Sequence, residues 1–131
     1  GYFTAAAPTA VERNVFRCAL DAGGRGARCT RLTTGGGAHA LDVAPGGRYA
    51  VHAVSRLGVP GTTTLVELPS LRAVRTLADN TPLRERLAAA GATTPTFVKV
   101  PLPDGTVLDA YRIVPPAFDS TRKHPVLMYV Y

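Results

Sequence analysis

The sequence predicts a mainly β protein of short antiparallel strands, with one short helix in its second half. Its 131 residues include 13 glycines and 11 prolines without periodic spacing, which favours many turns and therefore many short strands. Between residues 40 and 77, four short apolar segments are separated by turns that contain Gly or Pro. Four antiparallel strands within about forty residues are the pattern of one blade of a β-propeller.

The first 34 residues are predicted to form most of a preceding blade, with strands at 2–7, 14–20 and 28–33. Cys18 and Cys29 stand on either side of the Gly-rich turn between the last two of these strands. We expect two packed thiols, because two cysteines do not make a disulfide framework and Cys commonly packs as a small hydrophobic residue. A cross-strand disulfide is the alternative.

The next unit is predicted to hold strands at 40–43, 48–55, 62–68 and 73–77, with a loop at 58–61. The turn at 44–47 contains two glycines that can adopt positive φ. His52 falls in the middle of the second strand. We interpret it as a packed strand histidine, because an isolated histidine needs a partner to act as a base.

A helix is predicted at 82–90, followed by a linker at 92–95. Its signals stand in order along the chain: Thr81 as N-cap, Pro82 at the first helical position, Glu85 in the first turn and Gly91 after the last turn. Asp79 is expected to cap the helix or its loop. A domain boundary is placed at the linker.

The last part of the chain is predicted to contain a hairpin and one apolar strand. Strands at 96–100 and 106–114 flank a Pro103–Gly105 turn. The segment His124–Tyr131 is rich in β-branched and aromatic residues without polar alternation, which predicts a strand buried on both faces of a parallel sheet. Because no helix or second parallel strand follows it, we expect the chain to stop in mid-domain.

Composition argues against several classes of function. The net charge of +6 comes mostly from scattered arginines, so no clustered nucleic-acid footprint is present. No apolar run is long enough to span a membrane, and no signal-peptide pattern opens the chain, so its compartment is not predicted. The cysteines and histidines lack zinc-site spacing, and Gly35–Gly37 lacks the residues of a phosphate loop. No cofactor or metal is expected.

The candidate catalytic residues do not form a recognisable active site. Serine occurs at Ser55, Ser70 and Ser120, none of them within a Gly-x-Ser-x-Gly motif. Histidine occurs at His39, His52 and His124, none of them near a serine in sequence. We therefore expect no complete catalytic triad in the chain.

Several motifs nevertheless resemble, in the same order, the dipeptidyl peptidase IV-like enzymes of the prolyl oligopeptidase family. Residues 12–17 resemble a Glu-Arg-Asn-Leu-Tyr strand of its late propeller blades, and residues 42–49 resemble its Ser-Pro-Asp-Gly-Arg-Tyr turn, with Gly46 replacing the usual Asp. Residues 75–80 are similar to the Leu-Glu-Asp-Asn stretch that closes the propeller. Residues 104–108, 114–119 and 123–131 resemble the beginning of the α/β-hydrolase domain of the family.

The resemblance implies propeller blades at 1–80, a helix and linker at 81–95, and the beginning of a hydrolase domain at 96–131. It also implies a serine exopeptidase that removes N-terminal dipeptides with Pro or Ala at the second position. The residues that bind the substrate amino terminus would lie upstream and the triad downstream, so we expect this chain to be inactive alone.

One functional residue is carried over by the resemblance. Tyr131 matches the tyrosine whose hydroxyl donates to the oxyanion of the tetrahedral intermediate, although the Gly-Gly-Pro that should follow is absent. The alternative is an ordinary tyrosine at a strand end. A different function also stays open: a stand-alone β-rich interaction module that binds a partner or forms homo-oligomers through exposed strand edges.

Overall fold

The computed structural model describes residues 1–23 and 26–130 and contains three antiparallel sheets and one helix in these ranges. The strands and the helix are β1 (Tyr2–Ala5), β2 (Asn14–Leu20), β3 (Gly26–Arg31), β4 (Ala38–Val43), β5 (Tyr49–Arg56), β6 (Val59–Glu67), β7 (Arg72–Ala78), α1 (Thr81–Ala89), β8 (Thr96–Pro101) and β9 (Val107–Arg112). The sheets have the strand orders β1-β2-β3, β4-β5-β6-β7 and β8-β9. The mainly β fold and the four-stranded blade-like unit predicted from the sequence are confirmed.

The core lies where the three-stranded sheet packs on the four-stranded sheet. Ala50, Val66 and Leu68 are buried, and part-buried side chains from both sheets pack against them: Tyr2, Leu41, Val43 and Leu71. Since alternate residues of a strand face the same side, Ala50 and His52 of β5 lie on this core-facing side. The core therefore covers one face of the four-stranded sheet.

A buried polar cluster lies at the beginning of β2. The Asn14 side chain is fully buried; its Nδ2 donates to the Ala7 carbonyl at 2.6 Å. The Thr33 hydroxyl donates to Asn14 Oδ1 at 2.8 Å and accepts from the Val15 amide at 3.0 Å. The buried polar groups thus satisfy one another, as buried hydrogen-bonding groups must.

Three local predictions about strand and helix ends need correction. β6 begins at Val59, so the loop predicted at 58–61 is wrong: Gly58 adopts a φ of 76° and Arg56 pairs directly with Val59. Glu85 lies beyond the first helical turn, which contains no acidic residue. The helix itself is confirmed within one residue at each end, with Asn80 rather than Thr81 as its N-cap.

The predicted hairpin at Pro103–Gly105 is confirmed. Gly105 adopts a φ of 87°, and the Asp104 carboxylate accepts the Thr106 amide at 2.9 Å. β8 and β9 contact each other and no other strand or helix of the described residues. This two-stranded sheet leaves large apolar side chains exposed, including Phe97, Val107 and Tyr111.

The buried parallel strand predicted at His124–Tyr131 is not formed in the described residues. Residues 126–130 lie in no strand, and each of their side chains is at least 80% exposed. Apolar composition favours burial, but a strand needs a neighbour to supply its hydrogen bonds. No described strand pairs with this segment.

Cys18 and Cys29 form a disulfide, so the expectation of two packed thiols is wrong. The two residues are directly opposite in the β2–β3 register, with Cα atoms 4.1 Å apart. Neighbouring antiparallel strands bring opposite Cβ atoms close enough for a bridge. The exact register of β2 and β3, which includes a bulge between Cys18 and Leu20, was not evident from the sequence.

Candidate functional site

The most distinctive cluster of reactive side chains is a pair of histidines on β4 and β5. His39 Nδ1 and His52 Nε2 are 3.0 Å apart, and the two ring planes are within 1° of parallel. The ring centres are 5.2 Å apart. This distance exceeds the separation of the two nitrogens by about twice the distance from the centre of an imidazole ring to one of its nitrogens. The nitrogens therefore lie between the ring centres, and the rings meet edge to edge in an N–H···N hydrogen bond.

The strand register explains why these side chains meet. His39 pairs with Val54, and His52 pairs with Leu41, so the histidines are diagonal neighbours across the β4–β5 ladder. His39 is 4% exposed, and its Nε2 lies 3.4 Å from the Gly35 carbonyl oxygen. His52 is a packed strand histidine, as predicted, but with a partner that sequence reasoning missed.

Burial and the neighbouring imidazole both influence His52. Burial lowers the pKa of the His52 imidazole, and the positive charge that His39 can carry lowers this pKa further. His52 is therefore harder to protonate than an exposed histidine.

The predicted catalytic candidates are not brought together. Within residues 1–23 and 26–130, no serine hydroxyl is hydrogen-bonded to a histidine. Ser70 Oγ contacts the Glu67 carbonyl, and His124 Nε2 contacts the Asp119 carbonyl at 2.8 Å.

The acidic side chains act in turns and ion pairs. Backbone amides two residues ahead donate to Asp79 and Asp104 and lower the pKa of each carboxyl. For Asp119 the side-chain hydroxyl of Thr121 is the first cause of its lowered pKa, followed by the Thr121 amide. These carboxylates stabilise local structure, and Asp79 Oδ1 accepts the amide of Thr81, the first residue of α1, at 3.0 Å.

Glu67 differs from the turn carboxylates because it is paired with two cations. Hydrogen bonding and charge from Arg72 lower the pKa of Glu67, with a smaller contribution from Arg48 at 3.5 Å. Arg48 directly precedes β5, whereas Glu67 ends β6 and Arg72 begins β7, so these ion pairs lie at one end of the four-stranded sheet.

A depression of about 500 Å³ lies near the histidine pair. It is lined by Arg13, Ala38, His39, Ala40, Ala53, Val54, Ser55, Gly61, Thr62, Thr63 and Asn80. No group of three metal-binding side chains occurs in the described part of the chain, and no described helix is long and apolar enough to cross a membrane. Tyr131, the predicted oxyanion donor, lies outside the described residues.

Comparison with known proteins places these features in context. The chain is 28% identical, over 99% of its length, to a probable dipeptidyl-aminopeptidase B of Emericella nidulans. It also matches the crystal structure of Porphyromonas gingivalis dipeptidyl peptidase 4 over 95% of its length, with 27% identity and a TM-score of 0.80. The chain is dipeptidyl peptidase IV-like in sequence and fold.

The similarity covers nearly all of this chain but only a small part of each relative. The chain spans 14% of the Emericella protein and 17% of the Porphyromonas protein. No protein-family model matches it. The similarity therefore concerns a β-propeller-like segment, and it covers the chain almost from end to end.

The histidine pair could have been anticipated from the sequence. The Gly-containing turn at 44–47 was predicted correctly, and residues equally distant from a hairpin turn face each other. Counting residues outward from this turn along both strands places His39 and His52 on the same face of the sheet, as direct or diagonal cross-strand neighbours.

Proposed function

We propose that the chain is part of a serine exopeptidase of the prolyl oligopeptidase family that removes dipeptides with Pro or Ala at the second position from peptide N-termini. The observation that carries the proposal is the similarity to a dipeptidyl-aminopeptidase along 99% of the chain. The TM-score of 0.80 with a dipeptidyl peptidase 4 adds support from the fold. In this proposal residues 1–80 belong to the propeller, 81–95 connect, and 96–131 begin an α/β-hydrolase domain.

The chain alone is proposed to be inactive, because the described residues bring together no nucleophile and base. In a longer protein, the hydroxyl of Tyr131 would donate to the oxyanion as the carbonyl carbon becomes tetrahedral. Such a donor stabilises charge that develops only in the transition state, so it acts on kcat. The exposed segment 126–130 would then gain strand partners from the remaining hydrolase sheet.

The test compares the 131-residue chain with the full-length product of its gene on a Gly-Pro chromogenic substrate. We expect no turnover by the chain and clear turnover by the longer protein. In the longer protein, Tyr131→Phe should lower kcat about 10²- to 10³-fold with a smaller effect on KM. The control is Tyr111→Phe, which removes a hydroxyl from a half-exposed tyrosine of β9. Turnover by the chain alone, or full activity of Tyr131→Phe, would contradict the proposal.

Exposed apolar surface favours a second candidate, an interaction module that pairs with a partner or with its own copies. β8 and β9 contact no other described strand or helix, and Leu127 is 96% exposed. Light scattering coupled to size-exclusion chromatography tests this candidate. A defined, well-folded monomer or oligomer would support it, whereas aggregation that Leu127→Lys relieves would favour the peptidase segment.

A further inference from the structure

The His39–His52 hydrogen bond requires a particular arrangement of protons. The Gly35 carbonyl can only accept, so His39 Nε2 carries a proton toward it, and Nδ1 of the neutral His39 ring is then the acceptor. His52 Nε2 must therefore donate the proton that lies between the rings. In this state the remaining nitrogen, His52 Nδ1, carries no proton.

The pair can accept one proton without breaking. That proton binds His52 Nδ1 and leaves the hydrogen bond between the rings intact. A second proton would have to bind His39 Nδ1, which would direct two N–H groups at each other across 3.0 Å. Two imidazolium cations in this edge-to-edge position repel each other and lose their hydrogen bond, so the doubly protonated pair must separate.

The charged groups around the pair also disfavour the second proton. Arg13 lines the depression beside His39, and Arg56 donates to the Gly36 carbonyl in the adjoining loop. Glu12 also approaches this loop, but its carboxylate accepts from Asn14 Nδ2 at 3.3 Å. From β6 the neighbour opposite His52 is Thr64, which is uncharged. The charged neighbours are therefore two arginines and one carboxylate that already accepts a hydrogen bond. None of these three groups serves as a counter-ion for a doubly protonated pair.

Separation of the rings would act on the junction between the two sheets. The His39 amide donates to the Arg13 carbonyl at 2.8 Å, and the Arg13 amide donates to the Gly37 carbonyl at 3.0 Å. These bonds, with the Arg13–Ala38 bridge, connect the chain just before β2 to the beginning of β4. Displacing His39 from its buried position would therefore weaken these backbone hydrogen bonds directly.

We propose that His39 and His52 form a pH-sensitive clasp, which holds the junction between the sheets closed until the second proton enters and opens it in acid. The clasp is independent of the proposed peptidase role. The direction follows from linkage: the closed pair excludes a second proton that two separated imidazoles would accept. The stabilisation is therefore present above the ordinary histidine pKa of about 6.5 and is lost as the pH falls below it.

Amide hydrogen exchange of the 131-residue chain, corrected for intrinsic rates, tests the clasp. Between about pH 7.5 and about pH 5, we expect the protection of the Arg13 and His39 amides to fall at least about tenfold, because each excluded proton changes the opening equilibrium by up to tenfold per pH unit. The β8–β9 amides should keep their protection. Equal loss in both regions, or no loss at the junction, would overturn the proposal.

The matched variants are His52→Gln and His124→Gln. A glutamine amide can donate to His39 Nδ1 or, after the amide rotates, accept from it. The contact between the two side chains then survives whether or not His39 Nδ1 carries a proton, so His52→Gln should largely abolish the pH response. His124→Gln removes a histidine outside the pair and should retain the response. If His52→Gln does not fold, the chemical shifts of the imidazole nitrogens in the wild-type chain, followed over the same pH range, test the clasp instead. The second proton should appear only together with loss of the folded junction signals, and two protonated rings in an unchanged fold would refute the clasp.

Discussion

Reduction of the Cys18–Cys29 disulfide should destabilise the chain by about 3 kcal/mol. The bridge joins residues 11 apart in sequence, and the loop-closure entropy that such a crosslink removes from the unfolded chain corresponds to about 3 kcal/mol near room temperature. Cys18 and Cys29 stay opposite in the β2–β3 ladder through backbone pairing, so reduction changes mainly the unfolded state. The folded circular dichroism spectrum should therefore change little.

Urea unfolding followed by circular dichroism, with and without reductant, measures the effect. With a slope of about 2 kcal/mol per M, the midpoint should fall by about 1.5 M on reduction. The Cys18→Ala/Cys29→Ala double variant should unfold near the reduced wild-type midpoint and show no response to reductant. A shift below about 0.5 kcal/mol would mean that the bridge does not restrain the unfolded chain, and the loop-entropy argument would fail.

Two further changes test the core and the second hairpin. Val66→Ala removes two methyl groups from a side chain that is 2% exposed and should cost about 2 kcal/mol of unfolding free energy, whereas Val74→Ala, at a 47% exposed position, should cost less than about 0.5 kcal/mol. The Thr106 amide lowers the pKa of Asp104, so the stabilisation is present above the unfolded pKa of about 4 and is lost as the pH falls through the lower folded value. Asp104→Asn should therefore flatten the acid loss of β8–β9 amide protection, and an unchanged acid profile would contradict this.

The parts of the fold that the sequence predicted depend on local chemistry. The turn at 44–47 and the Pro103–Gly105 turn each contain glycine where the backbone adopts positive φ, as at Gly46, Gly47 and Gly105. These turns define the β4–β5 and β8–β9 hairpins. The helix was predictable for the same reason, since Pro82 and Gly91 mark its two ends within a few residues of the chain.

The parts that the sequence did not predict depend on partners distant in sequence. Residues 126–130 have the composition of a core strand, but composition does not supply a neighbouring strand, and none of the described strands pairs with them. The disulfide depends on a register that places Cys18 opposite Cys29 across a bulged ladder. The histidine pair likewise depends on counting the two strands together and cannot be recognised from either strand alone.

Asn14, in the Glu12–Arg17 motif, has a structural role that explains why asparagine occurs there. Asn14 uses its amide nitrogen toward Ala7 and its amide oxygen toward Thr33, so it needs both a donor and an acceptor in one buried side chain. Aspartate would present acceptors to the Ala7 carbonyl, and alanine would leave that part-buried carbonyl and the Thr33 hydroxyl without this partner. The requirement for asparagine at this position therefore follows from its hydrogen bonds to Ala7 and Thr33.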